Sequence, residues 1–277
     1  MSVRVEGPSP AGRPPGTLRV GLSRGWLEIR EFAHAWESVV LTFSLPALVL
    51  TLLSSMLDGV FGAGVSAVDH YLPGLVAMGL MSVSFQHLGL SIAQERDTGG
   101  LRRLRGTPMP PAAYFLGKTV LVLFLALGQV VLLLGVARLA FGARLPADPA
   151  AWAALAWVFV LGTVSCSLLG IAVSSLVRDS RSASGVVVVP FLVLQFTSGV
   201  FVPVAVLPEW VLGAASLFPL LWMAQGLRAA FLPAGTAASD PGGAWDPPSV
   251  ALALGVWCVV GLALVLLTFR WKAREDG

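Results

Sequence analysis

Seven uncharged runs constrain this chain more than any other feature: residues 38–57, 71–94, 119–135, 151–177, 182–208, 210–227 and 247–269. Most reach the roughly 20 residues that carry a helix across about 30 Å of hydrocarbon. Lipid offers no partners to backbone N–H and C=O groups, so a run of this kind crosses as a helix, which satisfies its own hydrogen bonds. With 56% apolar residues against 12% charged, the chain has lipid as its main solvent. The expected fold class is an all-α polytopic membrane protein.

Charge placement decides how many runs cross. If residues 210–227 do not cross and the N-terminus is cytoplasmic, fifteen of the eighteen basic residues lie inside. Only Arg138, Arg144 and Arg228 remain outside. A seventh crossing would carry Arg270, Lys272 and Arg274 outward, against the positive-inside bias. The sequence thus predicts six transmembrane helices near 38–57, 71–94, 115–137, 151–177, 183–206 and 248–269, with both termini in the cytoplasm. Pro219, Gly213 and Gly226 break the demoted segment, so residues 207–231 are expected to form an outer re-entrant helical hairpin between spans five and six.

Outside this transmembrane domain, 38–270, the chain is short of structure-forming signals. Residues 1–17 hold Pro and Gly without an apolar run and read as a disordered cytoplasmic tail, and 271–277 as a second one. Between tail and spans, residues 18–37 place Leu18, Leu22, Trp26, Ile29, Ala33 and Trp36 three or four apart among charged residues. That spacing predicts an N-terminal amphipathic interfacial helix. The net charge of +3 is spread over short segments that flank apolar runs, which argues against nucleic acid as a partner. Cys166 and Cys258 each lie inside an apolar run, and His34, His70 and His87 are scattered. Neither a disulfide framework nor a metal site is expected.

One polar segment stands between spans two and three. Glu95, Arg96 and Asp97 open it, Gly99 and Gly100 permit a sharp turn, and Leu101 and Leu104 sit at helical spacing beside Arg102, Arg103 and Arg105. Thr107, Pro108, Pro110 and Pro111 end it. A short basic helix within 95–107, offered to the cytosol, is the expectation. Gly117-Lys118-Thr119 imitates the end of a phosphate-binding loop, but Ala112 stands where that loop needs its first Gly. The chain is therefore expected to hold no nucleotide, no other cofactor and no catalytic residue. No Asp or Glu falls inside the six spans, which disfavours an ion-driven carrier. Gln86, His87, Gln129 and Gln195 are the candidate pathway-lining groups, and helix-to-helix hydrogen bonding is the plainer use for them.

Lacking an energy source yet presenting a basic helix to the cytosol, the chain resembles the permease subunit of ABC type-2 exporters. The family pattern E-R-E-x-G-T-L-x-x-L-x-x-T-P followed by G-K is matched from Glu95 to Pro108 and at Gly117-Lys118, with Asp97 and Gly100 as departures. Gly199, Pro203, Pro208, Glu209, Trp210, Pro219 and Arg228 are similar to the family's fifth-span exit and outer hairpin. The drug-resistance branch, including daunorubicin-type exporters, looks closest. The resemblance implies a dimer of permeases, homo- or heteromeric, in the bacterial plasma membrane, paired with a separate ATPase subunit that binds ATP and Mg. Glu95, Arg96, Gly99, Leu101, Arg102, Leu104, Arg105, Thr107 and Pro108 would couple to that ATPase, and the seven residues of the second match would form an outer gate. The implied cargo is a hydrophobic or amphiphilic compound; a lipid-linked polysaccharide is the alternative. A membrane anchor or sensor without transport is the alternative of another class.

Overall fold

A computed structural model describes residues 16–57, 65–107, 109–146, 148–177, 180–239 and 245–268. Most of both expected tails, and Pro108, lie outside the described residues, as does the side chain of Arg105. Among the described residues the secondary structure is helical throughout. Five helices are long and apolar enough to cross a membrane: α2 (Trp36–Met56), α3 (Ala67–Asp97), α5 (Pro111–Phe141), α6 (Pro149–Ser174) and α10 (Pro247–Thr268). They are joined by α1 (Thr17–His34), α4 (Gly100–Arg105), α7 (Ser184–Thr197), α8 (Glu209–Ala215) and α9 (Pro219–Phe231).

Side-chain register gives each helix a direction. Gln129 of α5 lies across Gly79 of α3, and Lys118 reaches Ser91, so α3 and α5 are antiparallel. Gly170 and Ser174 of α6 meet Phe85 and Arg96 of α3 in that order, and Leu161 and Leu168 of α6 meet Cys258 and Gly261 of α10, so α3, α6 and α10 run the same way. The Arg144 amide donates to Asp69 Oδ1 at 2.9 Å, closing the end of the bundle opposite α4. α3 is the central helix, buried along most of its length, whereas α2 and α10 keep large exposed apolar faces. Such faces fit lipid as the surrounding solvent.

Three local features were not legible as periodicity. Within α3, Ser82–His87 forms a π-helical turn, and α7 opens with another at Ser184–Val188. α7 ends at Thr197 rather than near 206, because Gly199 takes a left-handed conformation (φ 74°) and Pro203 precedes a short 3-10 turn at Val204–Val206. Finally, of the hydrophobic stripe expected along α1 only Ile29 is buried. Gly21, Gly25, Glu28, Ile29 and Phe32 are buried, while Leu18, Leu22 and Trp26 are exposed. A Cβ on Gly21 would lie 2.6 Å from Leu116 Cδ2, and one on Gly25 would lie 2.7 Å from Val120 Cβ. The Gly-x-x-x-Gly spacing lets α1 press its backbone onto α5 and leaves most of the apolar stripe exposed.

The segment 209–231 is a bent pair, with α8 and α9 at 99°. Phe218, at the bend, stacks on Trp257 in the middle of α10 with ring centroids 6.3 Å apart. From there α9 passes Met223 against Cys166 and then Gly226 against Val158 and Val250, moving back toward the first residues of α6 and α10. Pro219 at the first position of α9 permits this restart, since the amide it lacks is unpaired there anyway.

Candidate functional site

The base of the bundle, where α4 projects, is built by three helices. Lys118 stands two turns into α5, only 3% exposed, in a span otherwise without charge until Arg138. Its Nζ lies 2.6 Å from Glu95 Oε1, 3.2 Å from Glu28 Oε2 and 3.3 Å from Ser91 Oγ. Arg24 completes the group, its Nε 3.0 Å from Glu28 Oε1 and its Nη2 3.8 Å from Glu95 Oε2. The Tyr114 hydroxyl donates to Glu95 Oε2 at 2.9 Å, and the Arg24 guanidinium sits over the Tyr114 ring at 5.1 Å. Two carboxylates and two cations thus balance one another. Burial pushes the Glu28 carboxyl above its ordinary value of 4.5, and Lys118 and Arg24 oppose that shift.

Local sequence explains how the group assembles. Arg24 and Glu28 are four apart on α1, hence on one face. Ser91 and Glu95 repeat the spacing on α3, and Tyr114 and Lys118 on α5. The glycine-mediated approach of α1 to α5 then brings the three pairs together. The sequence pattern contains Glu95 and Lys118 but neither their pairing nor Arg24, Glu28 and Tyr114. The available signals were the Gly21-x-x-x-Gly25 spacing and a lysine placed inside an apolar span, which needs an anion beside it.

Glu95 and Arg96 therefore turn into the protein. The Arg96 guanidinium donates to the Ser174 carbonyl at 2.5 Å, tying α3 to the last residue of α6. Gly99 takes φ 72° and separates α3 from α4, Leu101 is buried, and Leu104 is half-buried. Arg102 and Arg103 are exposed, and Thr107 closes the turn by donating to the Leu104 carbonyl at 2.6 Å. Along α1 an open groove of about 410 Å³ is lined by Val20, Ser23, Arg24, Trp26, Leu27 and Arg30, with Met109 from the segment that follows α4. What this end offers outward is basic and apolar together.

At the opposite end the candidate gate residues divide. Buried Arg228 donates to the Gly199 carbonyl at 3.4 Å, joining α9 to the end of α7, and Pro219 is buried at the start of α9. Pro203 is half-buried, whereas Pro208, Glu209 and Trp210 are exposed on α8. Gln129 is buried against Gly79, His87 packs edge-on to Phe32 of α1 at 5.2 Å, Gln195 is buried in α7, and Gln86 is half-buried. No group of His, Cys, Asp and Glu suited to a metal ion occurs among the described residues.

The arrangement joins a basic surface element to the interior of a membrane bundle. The inner membrane transport permease YadH of Escherichia coli (strain K12) is 25% identical to this chain over 224 residues, 77% of this chain and 83% of that protein. The Shigella flexneri permease of the same name matches equally. The profile of the family described as ABC-2 family transporter protein covers residues 55–270, from the end of α2 through the bundle to its last helix, and the chain belongs to that family.

Proposed function

We propose that this chain is the permease subunit of an ATP-driven exporter in the bacterial plasma membrane. The observation that carries the reading is the basic helix α4 at one end of the bundle, with an open groove along α1 at the same end, in a chain matched by the family over residues 55–270. Arg102, Arg103 and the groove floor suit an acidic and apolar face of a separate ATPase subunit, which would bind ATP and Mg. Two permeases and two ATPases form the working unit. With α7 (Ser184–Thr197) as a sixth crossing beside the five long helices, α4 and both termini would lie in the cytoplasm and the α8–α9 hairpin would enter from the outside. Among the described residues the bundle keeps its carboxylates toward its ends, Asp69 at one and Glu28 and Glu95 at the other; the apolar middle suits a hydrophobic or amphiphilic cargo, and motion rather than chemistry moves it.

Co-purification with the ATPase encoded beside it, followed by reconstitution, tests this reading. The chain alone should hydrolyse no ATP, and the complex should hydrolyse it and extrude an amphiphilic dye such as Hoechst 33342 or a fluorescent lipid. A chain that takes up no ATPase, or that moves cargo without ATP, overturns the proposal.

A further inference from the structure

The four charges at the base of the bundle are arranged so that each carboxylate is shared between helices. Glu28 of α1 is held by Lys118 of α5, and Glu95 of α3 is held by Lys118 and by Tyr114, both of α5. Lys118 of α5 reaches α1 through Glu28 and α3 through Ser91 and Glu95, and it is the more deeply buried of the two cations, since Arg24 of α1, which reaches Glu95 and the Tyr114 ring, is half-buried. Around it the packing leaves no slack. Gly117 carries the stem of Arg24, with a Cβ there only 3.1 Å from Arg24 Cγ, and Gly21 and Gly25 seat α1 directly on Leu116 and Val120.

Buried ion groups of this kind add little net stability, because desolvation offsets the attraction. They do specify geometry. Sliding one helix past another would strand a buried charge, and the cost of a charge without its partner is several times that of an exposed ion pair. The base thus resists shear while tolerating motion as a unit. Glu95 is also five residues ahead of Gly100, so α4 hangs from the same turn that Lys118 grips. Toward the other end the cluster stops at Ser91, and the π-helical turn Ser82–His87 begins four residues further up α3. Such turns interrupt the regular hydrogen-bond ladder and mark places where a helix bends.

We propose that Lys118 is a positioning residue that binds α1, the base of α3 and the base of α5 into one rigid body, so that a displacement of α4 moves three helices together and is released at the π-helical turn. Glu95 acts in this body as the link to α4 and not as a contact to the ATPase. The inference rests on the proposed permease function.

The test uses the full permease–ATPase complex in lipid nanodiscs, with Cys166 and Cys258 replaced by Ser. Spin labels are attached at Leu18→Cys on α1 and Leu123→Cys on α5, both exposed positions, and a second pair at Leu18→Cys and Leu252→Cys on α10. In the otherwise native complex, ATP with vanadate should leave the 18–123 distance distribution unchanged and shift the 18–252 distribution. With Lys118→Met the 18–123 distribution should shift on adding nucleotide, and Lys118→Arg should restore the native pattern. Because Lys118→Met leaves a buried carboxylate short of a partner, the neutral pair Glu28→Gln with Lys118→Met is measured as well, and the same shift is expected. An 18–123 distribution that ignores nucleotide in that pair overturns the inference. A native complex that hydrolyses no ATP overturns the permease reading instead, so the two failures are distinct.

Discussion

At the scale of single residues, Lys118 and its carboxylates show how an interior charge is tolerated in an apolar helix. Lys118→Ala should cost about 3–5 kcal/mol, because Glu28 and Glu95 would then share only Arg24. Thermal unfolding in detergent should show a lowered Tm, and Lys118→Arg should recover most of it. Glu28 adds a pH dependence. Its proton is bound more tightly in the folded protein than in the unfolded chain, since burial raises its value above 4.5. The stability this contributes is present in full below 4.5 and is lost as pH rises through the raised value. Relative to Glu28→Gln, the native protein should therefore lose Tm on going from acidic to neutral pH; parallel curves would show that Glu28 titrates normally.

At the scale of elements, α1 and the α3–α4 turn carry the sharpest expectations. Gly25→Leu places its Cβ 2.7 Å from Val120 Cβ, a branched atom that cannot swing away, so α1 must lift off α5. Insertion should persist, because the spans keep their apolar surface, but ATPase binding in pull-down should fall about tenfold or more. Gly99→Ala tests the turn more gently. Nothing lies within 4 Å of its Cβ, so the effect is conformational, about 1–2 kcal/mol for a residue forced to φ 72°. The readout is protease sensitivity of the α4 turn, which should rise, with membrane levels unchanged.

At the scale of the whole molecule, the prediction concerns how often the chain crosses. Phe218 stacks at the middle of α10 and Arg228 returns to Gly199, so both ends of the 209–231 segment should face the same side. Arg228 itself is buried and unsuited to labelling. Single cysteines at Glu209 and Gly235, in a background with Cys166 and Cys258 replaced by Ser, should both react with an impermeant thiol reagent in intact cells. One at Arg103 should react only after permeabilisation. Protection at 235 with reaction at 209 would make the hairpin a seventh crossing. The positions of the apolar helices, the break at Pro219 and the basic character of α4 were all legible in the sequence, because each depends on a local contrast between residues and solvent. The reach of α7 was not, since Gly199 and Pro203 stop it inside a run that is apolar throughout. Nor was the buried face of α1, where two glycines outweigh the hydrophobic stripe by admitting a backbone close to α5. Pairing of Glu28 and Glu95 with Lys118 joins residues far apart in the chain. Periodicity describes which side of one helix avoids water; which charge meets which is decided only when the helices pack, because an ion pair in a buried site depends on distances that no single helix contains.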